Sequence, residues 1–357
     1  MRMIKKIGFI VGIVMFVFSF TISAQLSGFT LTGNAENASG AKWTYSNTVD
    51  GVVYELQGIL YKPAGNGPFP AVIINHGTGG SSLSYSTNVA RQMIAWGYIC
   101  IATNYTHAAI STSIPCGSPG DCADQKTWGA SNDNLFRAMK CWDILASLNY
   151  VDTFSIAAFG HSRGAFLTIA LAGIYPEKFS CFGHTAGGVG NTSDGTYASE
   201  AVVNKINKPY IFHHGDADVT VPIVYDNNLE KIFIKNGLLY NYYIYPGLTH
   251  QQMSTDATMF TRTKDFFNLY ITRVKTGLNI NSSTDQKALL LQVKSKQLKI
   301  ENANVTALQI YNLTGQQLLS STVIPNQEID ISSIRNSLYI CKVSLGSNVI
   351  SRKIIVQ

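Results

Sequence analysis

Ser162 lies in the pentapeptide Gly-His-Ser-Arg-Gly at residues 160–164, a pattern typical of an activated serine. The apolar run before it, 154–159, is suited to a buried strand, and the apolar run after it, 165–171, is suited to a helix. A serine at such a turn is held in a strained backbone conformation that exposes its hydroxyl. Glycines flank it because side chains would collide where strand and helix cross. The alternative interpretation is a glycine-rich turn with an incidental serine.

A serine hydroxyl becomes a nucleophile when a base removes its proton, so one of the seven histidines must reach it. His250 is favoured because residues 246–251 follow the last predicted strand, where a loop can fold over the serine. The other histidines lie beside loop glycines, in strands, or on a loop without an orienting partner: His76, His107, His161, His184, His213 and His214. The alternative for His250 is an ordinary surface position.

The base needs a third group to orient it, and residues 214–222, the acid loop, offer two carboxylates directly after a predicted strand. Asp218 is preferred, because Asp216 lies nearer the strand end and can serve the turn by accepting backbone amides. The resulting chain order of Ser162, Asp218 and His250 is that of α/β-hydrolases and differs from that of other serine-triad folds.

The oxyanion that forms during attack needs two preorganised N–H donors. One is expected to be the amide of Arg163, directly after the serine. The second is assigned to Thr78, in the glycine-rich oxyanion loop at residues 76–80 that follows the predicted strand 71–75. The competing interpretation of this loop is a phosphate cradle, but neither phosphate-binding glycine motif is present.

The elements that must position these residues alternate along the chain. Strand patterns occur at 71–75, 98–102, 154–159, 179–185, 209–214 and 240–245, and helical patterns at 84–96, 131–148, 165–171, 222–235 and 257–273. An antiparallel hairpin is predicted at 42–47 and 52–61, whereas 25–40 is expected to be irregular. Apolar strands alternating with helices predict an α/β fold with a mostly parallel sheet covered by helices.

Residues 42–273 resemble α/β-hydrolases of the dienelactone-hydrolase and polyester-hydrolase kind, through the pentapeptide, both loops and His250. The resemblance implies an α/β-hydrolase fold and a serine hydrolase that needs no metal or organic cofactor. Dienelactone hydrolases carry a cysteine nucleophile, so Ser162 points to an esterase. Arg163 stands where polyester hydrolases usually carry Met. Its side chain is expected to form a local salt bridge or, alternatively, to contact an acidic acyl group.

The pattern changes near residue 279 to short strands separated by turns, which predicts a small all-β sandwich after a linker at 276–285. Three stretches resemble the C-terminal sorting domain of the type IX secretion system: 305–318, 329–334 together with 338–343, and 351–356. This resemblance implies passage from the periplasm across the outer membrane, with the type IX secretion machinery as partner. The alternative is a carbohydrate-binding or adhesive β-module.

The first 24 residues have the features of a cleaved signal peptide: basic residues at 2, 5 and 6, an apolar run at 7–20, and Ala24 as the last residue. The run is short for a membrane span, so no stable span is expected in the mature form. Cleavage removes three positive charges and no negative ones, lowering the formal net charge from +6 to +3. That charge is too small and too scattered to indicate nucleic acid as a partner.

Export permits disulfides among the six cysteines. Cys116 and Cys122 flank a turn-rich stretch and are predicted to form a bridge. Cys100 is expected to be a buried thiol, and Cys141 and Cys181 form a second candidate pair. No CxxC metal pattern occurs in the sequence.

These observations predict a signal peptide at 1–24, a catalytic domain at 25–278 and a sorting domain at 279–357. The predicted protein is a secreted or cell-surface serine hydrolase acting on carboxylic esters, small or polymeric. Tyr105 and Trp128, on loops at strand ends, are expected either to line the acyl cleft or to be packing residues. Two alternatives remain: a serine peptidase on the same fold, and a non-catalytic binding or adhesion protein.

Overall fold

The structure is a computed structural model of the chain. It describes residues 26–49, 51–109, 128–190 and 196–271, and in the C-terminal part residues 290–294, 296–301, 305–312, 316–324, 327–335, 337–345 and 348–356. The predicted signal peptide, the linker at 276–285 and the predicted Cys116–Cys122 bridge lie outside these residues.

A nine-stranded sheet organises the larger part of the chain. Its strands are β1 (Phe29–Thr32), β2 (Ala41–Val49), β3 (Val52–Tyr61), β4 (Phe69–Asn75), β5 (Ile99–Thr103), β6 (Val151–His161), β7 (Cys181–Thr185), β8 (Tyr210–Gly215) and β9 (Tyr240–Tyr245). Their order is β1-β2-β3-β5-β4-β6-β7-β8-β9. Pairing is antiparallel from β1 to β5 and parallel from β5 to β9. The prediction of a mostly parallel sheet is therefore confirmed.

The helices are α1 (Tyr85–Ile94), α2 (Asn132–Ser147), α3 (Arg163–Ile174), α4 (Glu200–Val203), α5 (Val224–Lys235), α6 (His250–Met253) and α7 (Ala257–Tyr270). They cover both faces of the sheet. Successive residues of the central strands enter opposite cores: Ile73 packs with α2, α3 and α5, whereas Val72 and Ile74 pack with α1 and α7. Burial on both faces explains why these strands are continuously apolar.

One prediction for the N-terminal segment is wrong. Residues 25–40 were expected to be irregular, but β1 pairs with β2 along its whole length, and Phe29 is buried in the core. A four-residue strand set in a polar, Gly- and Asn-rich sequence is too short to give a period-two pattern of its own.

The sheet also separates two of the candidate cysteine partners. Cys141 is buried with α2 in the core on one face, and Cys181 is buried in the core on the other. Both thiols are free, as are those of Cys100 and Cys341. The second candidate disulfide is therefore wrong, whereas Cys100 is a buried thiol as predicted.

The C-terminal residues form two small sheets, β10-β11-β14 and β13-β12-β15-β16. The strands are β10 (Leu290–Lys294), β11 (Gln297–Glu301), β12 (Val305–Tyr311), β13 (Gln317–Thr322), β14 (Glu328–Asp330), β15 (Ser337–Leu345) and β16 (Asn348–Val356). Leu298 and Ile329 of one sheet share a core with Leu308, Val343 and Ile354 of the other. The predicted β-sandwich is confirmed. Within the described part of the chain, no helix has the length and apolar character needed to cross a membrane.

Candidate active site

Ser162 forms the sharp turn between β6 and α3. Its φ of 56° and ψ of −122° place a non-glycine residue in a region that L-amino acids rarely adopt. The Ser162 amide donates to the carbonyl of Thr185 on β7 at 3.1 Å, which anchors the turn to the sheet. Such a conformation costs about 1–3 kcal/mol and persists only where the surroundings enforce it. It is the geometry that the pentapeptide predicts.

The two glycines of the pentapeptide occupy positions where no side chain fits. A Cβ on Gly160 would lie 2.2 Å from the carbonyl oxygen of Gly164. A Cβ on Gly164 would lie 2.1 Å from the carbonyl oxygen of Asn75, at the end of β4. The backbones of β4, β6 and α3 therefore approach so closely here that only glycine is tolerated.

His250 and Asp218 form a buried pair at the carboxyl ends of β8 and β9. His250 is the first residue of α6, and its Nδ1 lies 2.7 Å from Asp218 Oδ2. The other carboxylate oxygen of Asp218 accepts the amides of Thr220 and Val221, each at 2.9 Å. With Nδ1–H donating to the carboxylate, Nε2 keeps its lone pair and can accept a proton.

The two carboxylates of the acid loop are used differently. Burial alone would raise the pKa of Asp218, but hydrogen bonds from His214 and His250 hold it well below its usual range. Asp218 therefore stays ionised beside His250. Asp216 is exposed, and its Oδ1 accepts the amide of Gly247 at 2.6 Å. That contact ties the two loops together, in the turn-supporting role expected from the sequence.

Ser162 and His250 line one cavity of about 570 Å³. Residues 77–80 of the oxyanion loop, the side of Arg163, and the rings of Phe166 and Tyr197 also line it. Ser162 is 7% exposed and His250 is 6% exposed, so both are shielded from bulk water except through the cavity. A serine, an oriented imidazole and a glycine-rich loop thus line one cavity.

The oxyanion loop is braced from behind by a second loop. His107 Nε2 donates to the carbonyl of His76 at 2.7 Å, and the carbonyl of His107 accepts the amide of Gly79 at 3.0 Å. The amide of Thr78, between these anchored residues, has no acceptor among the described residues and borders the cavity. No orienting partner for His107 was expected from the sequence, and the structure corrects this: its partner is the loop that carries Thr78.

Buried histidines around the site are held neutral. Burial lowers the pKa of His76 to about 4 and that of His107 well below its usual value. Burial also lowers the pKa of His161 to about 3, and its ring lies 4.7 Å from the ring of His250. His161 Nδ1 is 2.8 Å from the hydroxyl of Thr185. A neutral ring beside His250 adds no competing positive charge to the site.

Arg163 begins α3, where the first N–H groups of a helix have no acceptor within the helix. An amide at this position is suited to an oxyanion. Its guanidinium lies over the ring of Trp128 at 4.8 Å and donates to the hydroxyl of Thr196 at 3.0 Å. Trp128 therefore supports the Arg163 side chain, and Arg163 is one of the residues that line the cavity.

Tyr105 does not line the cleft, so of the two roles expected for it the structure shows packing. The residue is completely buried, and its hydroxyl donates to the side chain of Asn75 while its amide donates to His76 Nε2. Its role is to fix the ends of β4 and of the oxyanion loop.

Family comparisons cover most of the chain. A model of the dienelactone hydrolase family matches residues 56–269, and a model of the secretion system C-terminal sorting domain matches residues 291–357. No curated protein gives a significant match to the sequence. The described residues contain no group of three or more His, Cys, Asp or Glu side chains arranged to hold a metal ion.

Solved structures give the fold. A protein assigned as a dienelactone hydrolase from Klebsiella pneumoniae has a TM-score of 0.51 and 17% identity, over 64% of this chain and 98% of that one. Dipeptidyl peptidase 4 from Porphyromonas gingivalis has a TM-score of 0.51 and 12% identity, over 65% and 36%. A puromycin-hydrolyzing peptidase from Mycobacterium tuberculosis has a TM-score of 0.50 and 15% identity, over 66% and 40%. This chain thus spans well under half the length of the two peptidases. The shared architecture is the α/β-hydrolase fold.

Proposed function

Because the chain belongs to the dienelactone hydrolase family, we propose that it is a serine hydrolase that cleaves carboxylic esters through an acyl-enzyme. Ser162 is the nucleophile, His250 the base and Asp218 the group that orients it. The observation that carries this proposal is the strained Ser162 backbone at the mouth of a cavity that His250 also lines. Strain of this kind is retained where it positions a reacting group.

In the first half-reaction, His250 Nε2 takes the hydroxyl proton while Ser162 Oγ bonds to the ester carbonyl carbon. The carbonyl oxygen becomes an oxyanion, which the amides of Thr78 and Arg163 receive. His250 then returns the proton to the leaving alcohol, and the acyl group stays on Ser162. Asp218 stabilises the imidazolium form of His250 between these two proton transfers, since its carboxylate is ionised and 2.7 Å away.

In the second half-reaction, water enters the cavity and His250 removes one of its protons as it attacks the acyl carbon. Collapse of the second tetrahedral intermediate returns the proton to Ser162 and releases the carboxylic acid. Every proton in this cycle passes through His250. The neutral rings of His76, His107 and His161 do not compete for it, because burial keeps their pKa values low.

A serine in place of the cysteine of dienelactone hydrolases supports an esterase over a dienelactone hydrolase. The test compares turnover of p-nitrophenyl acetate, butyrate and octanoate with turnover of aminoacyl p-nitroanilides by the full chain. We expect ester turnover that Ser162→Ala lowers by about 10⁴-fold or more, and no anilide turnover. Ser147→Ala, at the end of α2 and remote from the cavity, is the matched control. Preferential anilide cleavage would instead identify a peptidase, and no turnover of either class would support a binding protein.

The sorting-domain match indicates a secreted or cell-surface protein. We propose that the type IX secretion machinery carries out the export, after a signal peptide at residues 1–24 has directed the chain to the periplasm. An extracellular location suits the proposed ester substrates, which include polymers that cannot enter the cell.

A further inference from the structure

A line of buried ionisable side chains continues behind Asp218, away from the cavity. His214 Nε2 lies 3.5 Å from Asp218 Oδ2, and His214 Nδ1 lies 2.6 Å from Oδ2 of Asp226 on α5. The other oxygen of Asp226 is 2.9 Å from His184 Nε2 on β7. The side chains of His184, His214 and Asp226 are completely buried. The proposed mechanism uses none of these three groups.

The hydrogen-bond partners of His214 require a proton on each of its ring nitrogens. Nε2 lies 2.8 Å from the carbonyl oxygen of Val221, which can only accept, so Nε2 carries a hydrogen. Nδ1 faces the carboxylate of Asp226, which also accepts when ionised. His214 is therefore an imidazolium enclosed between two carboxylates. The imidazolium compensates one of the two carboxylate charges, which reduces the desolvation penalty of burying these groups.

His184 forms the far end of the arrangement. Its Nε2–H donates to Asp226, and its Nδ1 lies 2.9 Å from the hydroxyl of Tyr210. Burial alone would lower the pKa of His214, but hydrogen bonds to Asp218 and Asp226 outweigh it and raise the pKa to about 10. Asp226 also stays ionised, because its two histidine partners hold its pKa well below the usual range against the effect of burial.

Asp218 Oδ2 is shared between two histidines. It accepts from His250 Nδ1 at 2.7 Å and faces the His214 imidazolium at 3.5 Å. A fixed positive charge at that oxygen draws on the same negative charge that would stabilise a protonated His250. The affinity of His250 for a proton is therefore set jointly by Asp218 and by the charge behind it.

We infer that His214 and Asp226 are positioning residues that hold Asp218 ionised and weaken the proton affinity of His250, so that the base stays free at lower pH. This inference rests on the proposed function of His250 as the base. It assigns the pair a task that structural packing alone would not: setting the acidic limit of activity. An apolar pair of the same shape would pack in this place without that effect.

Other titratable groups face this network and must be considered in any pH profile. The ring of His161 contacts that of His250, while His213, Tyr210 and Tyr242 act electrostatically on or near Asp226. Burial lowers the pKa of His213 well below its usual value and raises those of Tyr210 and Tyr242. All four are neutral around the acid limb, and His184, 2.9 Å from Asp226, also faces the network.

Asp226→Asn is the sharpest variant, because the amide keeps the shape of the side chain and removes only the charge. Without the carboxylate, His214 loses the proton on Nδ1, which accepts from the new amide, and keeps Nε2–H on Val221. The lost positive charge is nearer to His250 than the lost negative charge, so the net effect strengthens proton binding by His250. The acid limb of kcat/KM for p-nitrophenyl acetate is expected to move up by about half a pH unit or more.

The experiment measures this profile for the full chain, for Asp226→Asn and for Asp143→Asn. Asp143 is a partly exposed carboxylate on α2, paired with Lys140, and controls for the change in net charge. An acid limb that stays in place or moves down in Asp226→Asn, with only the maximal rate lowered, would mean that the pair is structural and would overturn the inference.

Histidine-ring ¹⁵N spectra supply a readout that needs no substrate. The wild-type protein is expected to show both ring nitrogens of His214 protonated at neutral pH, and the ring signals of His250 are expected to titrate at higher pH in Asp226→Asn. A singly protonated His214 in the wild-type protein would overturn the inference even if the variant does not fold. Failure of the wild-type protein to hydrolyse any ester would instead overturn the proposed function and leave these spectra to decide the charge on His214.

Discussion

At the scale of single residues, the site depends on the different roles of two carboxylates, Asp216 and Asp218. Asp218 is buried against His250, whereas Asp216 is exposed and accepts the amide of Gly247. The sequence favoured this division because the residue nearer a strand end is the one that can support the turn. The sequence could not identify His214 as a second histidine partner of Asp218, because His214 looks like any histidine at the end of a strand.

Exchanging each carboxylate for its amide separates these roles. Asp218→Asn keeps the shape but presents an N–H₂ or a neutral oxygen to His250, which disturbs the tautomer and removes the charge that stabilises the imidazolium. We expect kcat for p-nitrophenyl acetate to fall by about 10⁴-fold. Asp216→Asn still accepts the Gly247 amide and is expected to keep most of its turnover. Equal losses in the two variants would contradict the assignment of the acid.

At the scale of elements, three close approaches build the site: β6 against α3, β4 against α3, and the oxyanion loop against the loop that carries His107. Motif spacing predicted the first, because glycines in a strand–turn–helix context have few other uses. The approach of β4 to α3 was not predicted, because Asn75 is distant from Gly164 in sequence. The third was not predicted, because His107 is distant from residues 76–80 in sequence and its partners are backbone atoms. The sequence also does not show which way a loop side chain faces, so cleft lining and packing were both expected for Tyr105, and the structure shows packing.

Gly164→Ala tests the close approach of β4 and α3. A methyl group 2.1 Å from the Asn75 carbonyl must push apart the strand that leads into the oxyanion loop and the helix that follows Ser162. We expect a loss of about 1–3 kcal/mol or more in the free energy of unfolding and a loss of about 10²-fold in kcat.

Gly237→Ala is the control for that substitution. Gly237 has a φ of +62° with nothing within 4 Å of the added methyl group, so only backbone strain opposes the change. Its expected cost is about 1–2 kcal/mol in stability, with turnover retained. A Gly164→Ala protein as active as Gly237→Ala would show that the approach of β4 and α3 does not position the site.

At the scale of the whole molecule, all seven histidines are buried, and their shifted pKa values are expected to give the stability of the fold a pH optimum. Burial lowers the pKa of His76 to about 4, that of His161 to about 3, and those of His107 and His213 well below the usual 6.5. These groups are neutral when folded and take up protons when unfolded below pH 6.5. Their contribution to stability is therefore complete above pH 6.5 and is lost as the pH falls.

The stability contribution of His214 depends on pH in the opposite direction. Its pKa is raised to about 10, so its contribution is complete below pH 6.5 and is lost as the pH rises toward 10. The lowered pKa values of Asp218 and Asp226 make their contributions complete above their ordinary value of 3.8. Taken together, these signs place the maximum of stability near pH 6.5.

Urea unfolding of the full chain, followed by circular dichroism, measures this dependence. Between pH 6.5 and about pH 4.5, each of the four neutral histidines is expected to cost up to about 1.4 kcal/mol per pH unit. In His213→Gln, the amide can reach Tyr245 and Thr263 in place of the ring. The slope of the unfolding free energy against pH is expected to fall by the amount that corresponds to the uptake of about one proton. Stability that is flat across this range would mean that these rings are already protonated in the fold.

The central strands of the fold could be predicted from the sequence, whereas the edge strand and the short strands could not. Alternating apolar runs fixed the central strands, because a strand buried on both faces is continuously apolar whatever lies beside it. The edge strand β1 and the short strands β13 and β14 were missed, since they are brief and half-exposed and owe their place to pairing partners far away in sequence. The candidate triad needed only motif spacing and strand ends, whereas the charges behind it depend on which way β7, β8 and α5 face.

The most direct test of the central claim is covalent labelling of the full chain with a fluorophosphonate, followed by mass spectrometry of its peptides. The account predicts a single adduct on Ser162, lost in Ser162→Ala, strongly slowed in His250→Gln and unchanged in Ser147→Ala. An adduct on another residue, or no adduct in a folded protein that still hydrolyses esters, would contradict the assignment of Ser162 as the nucleophile.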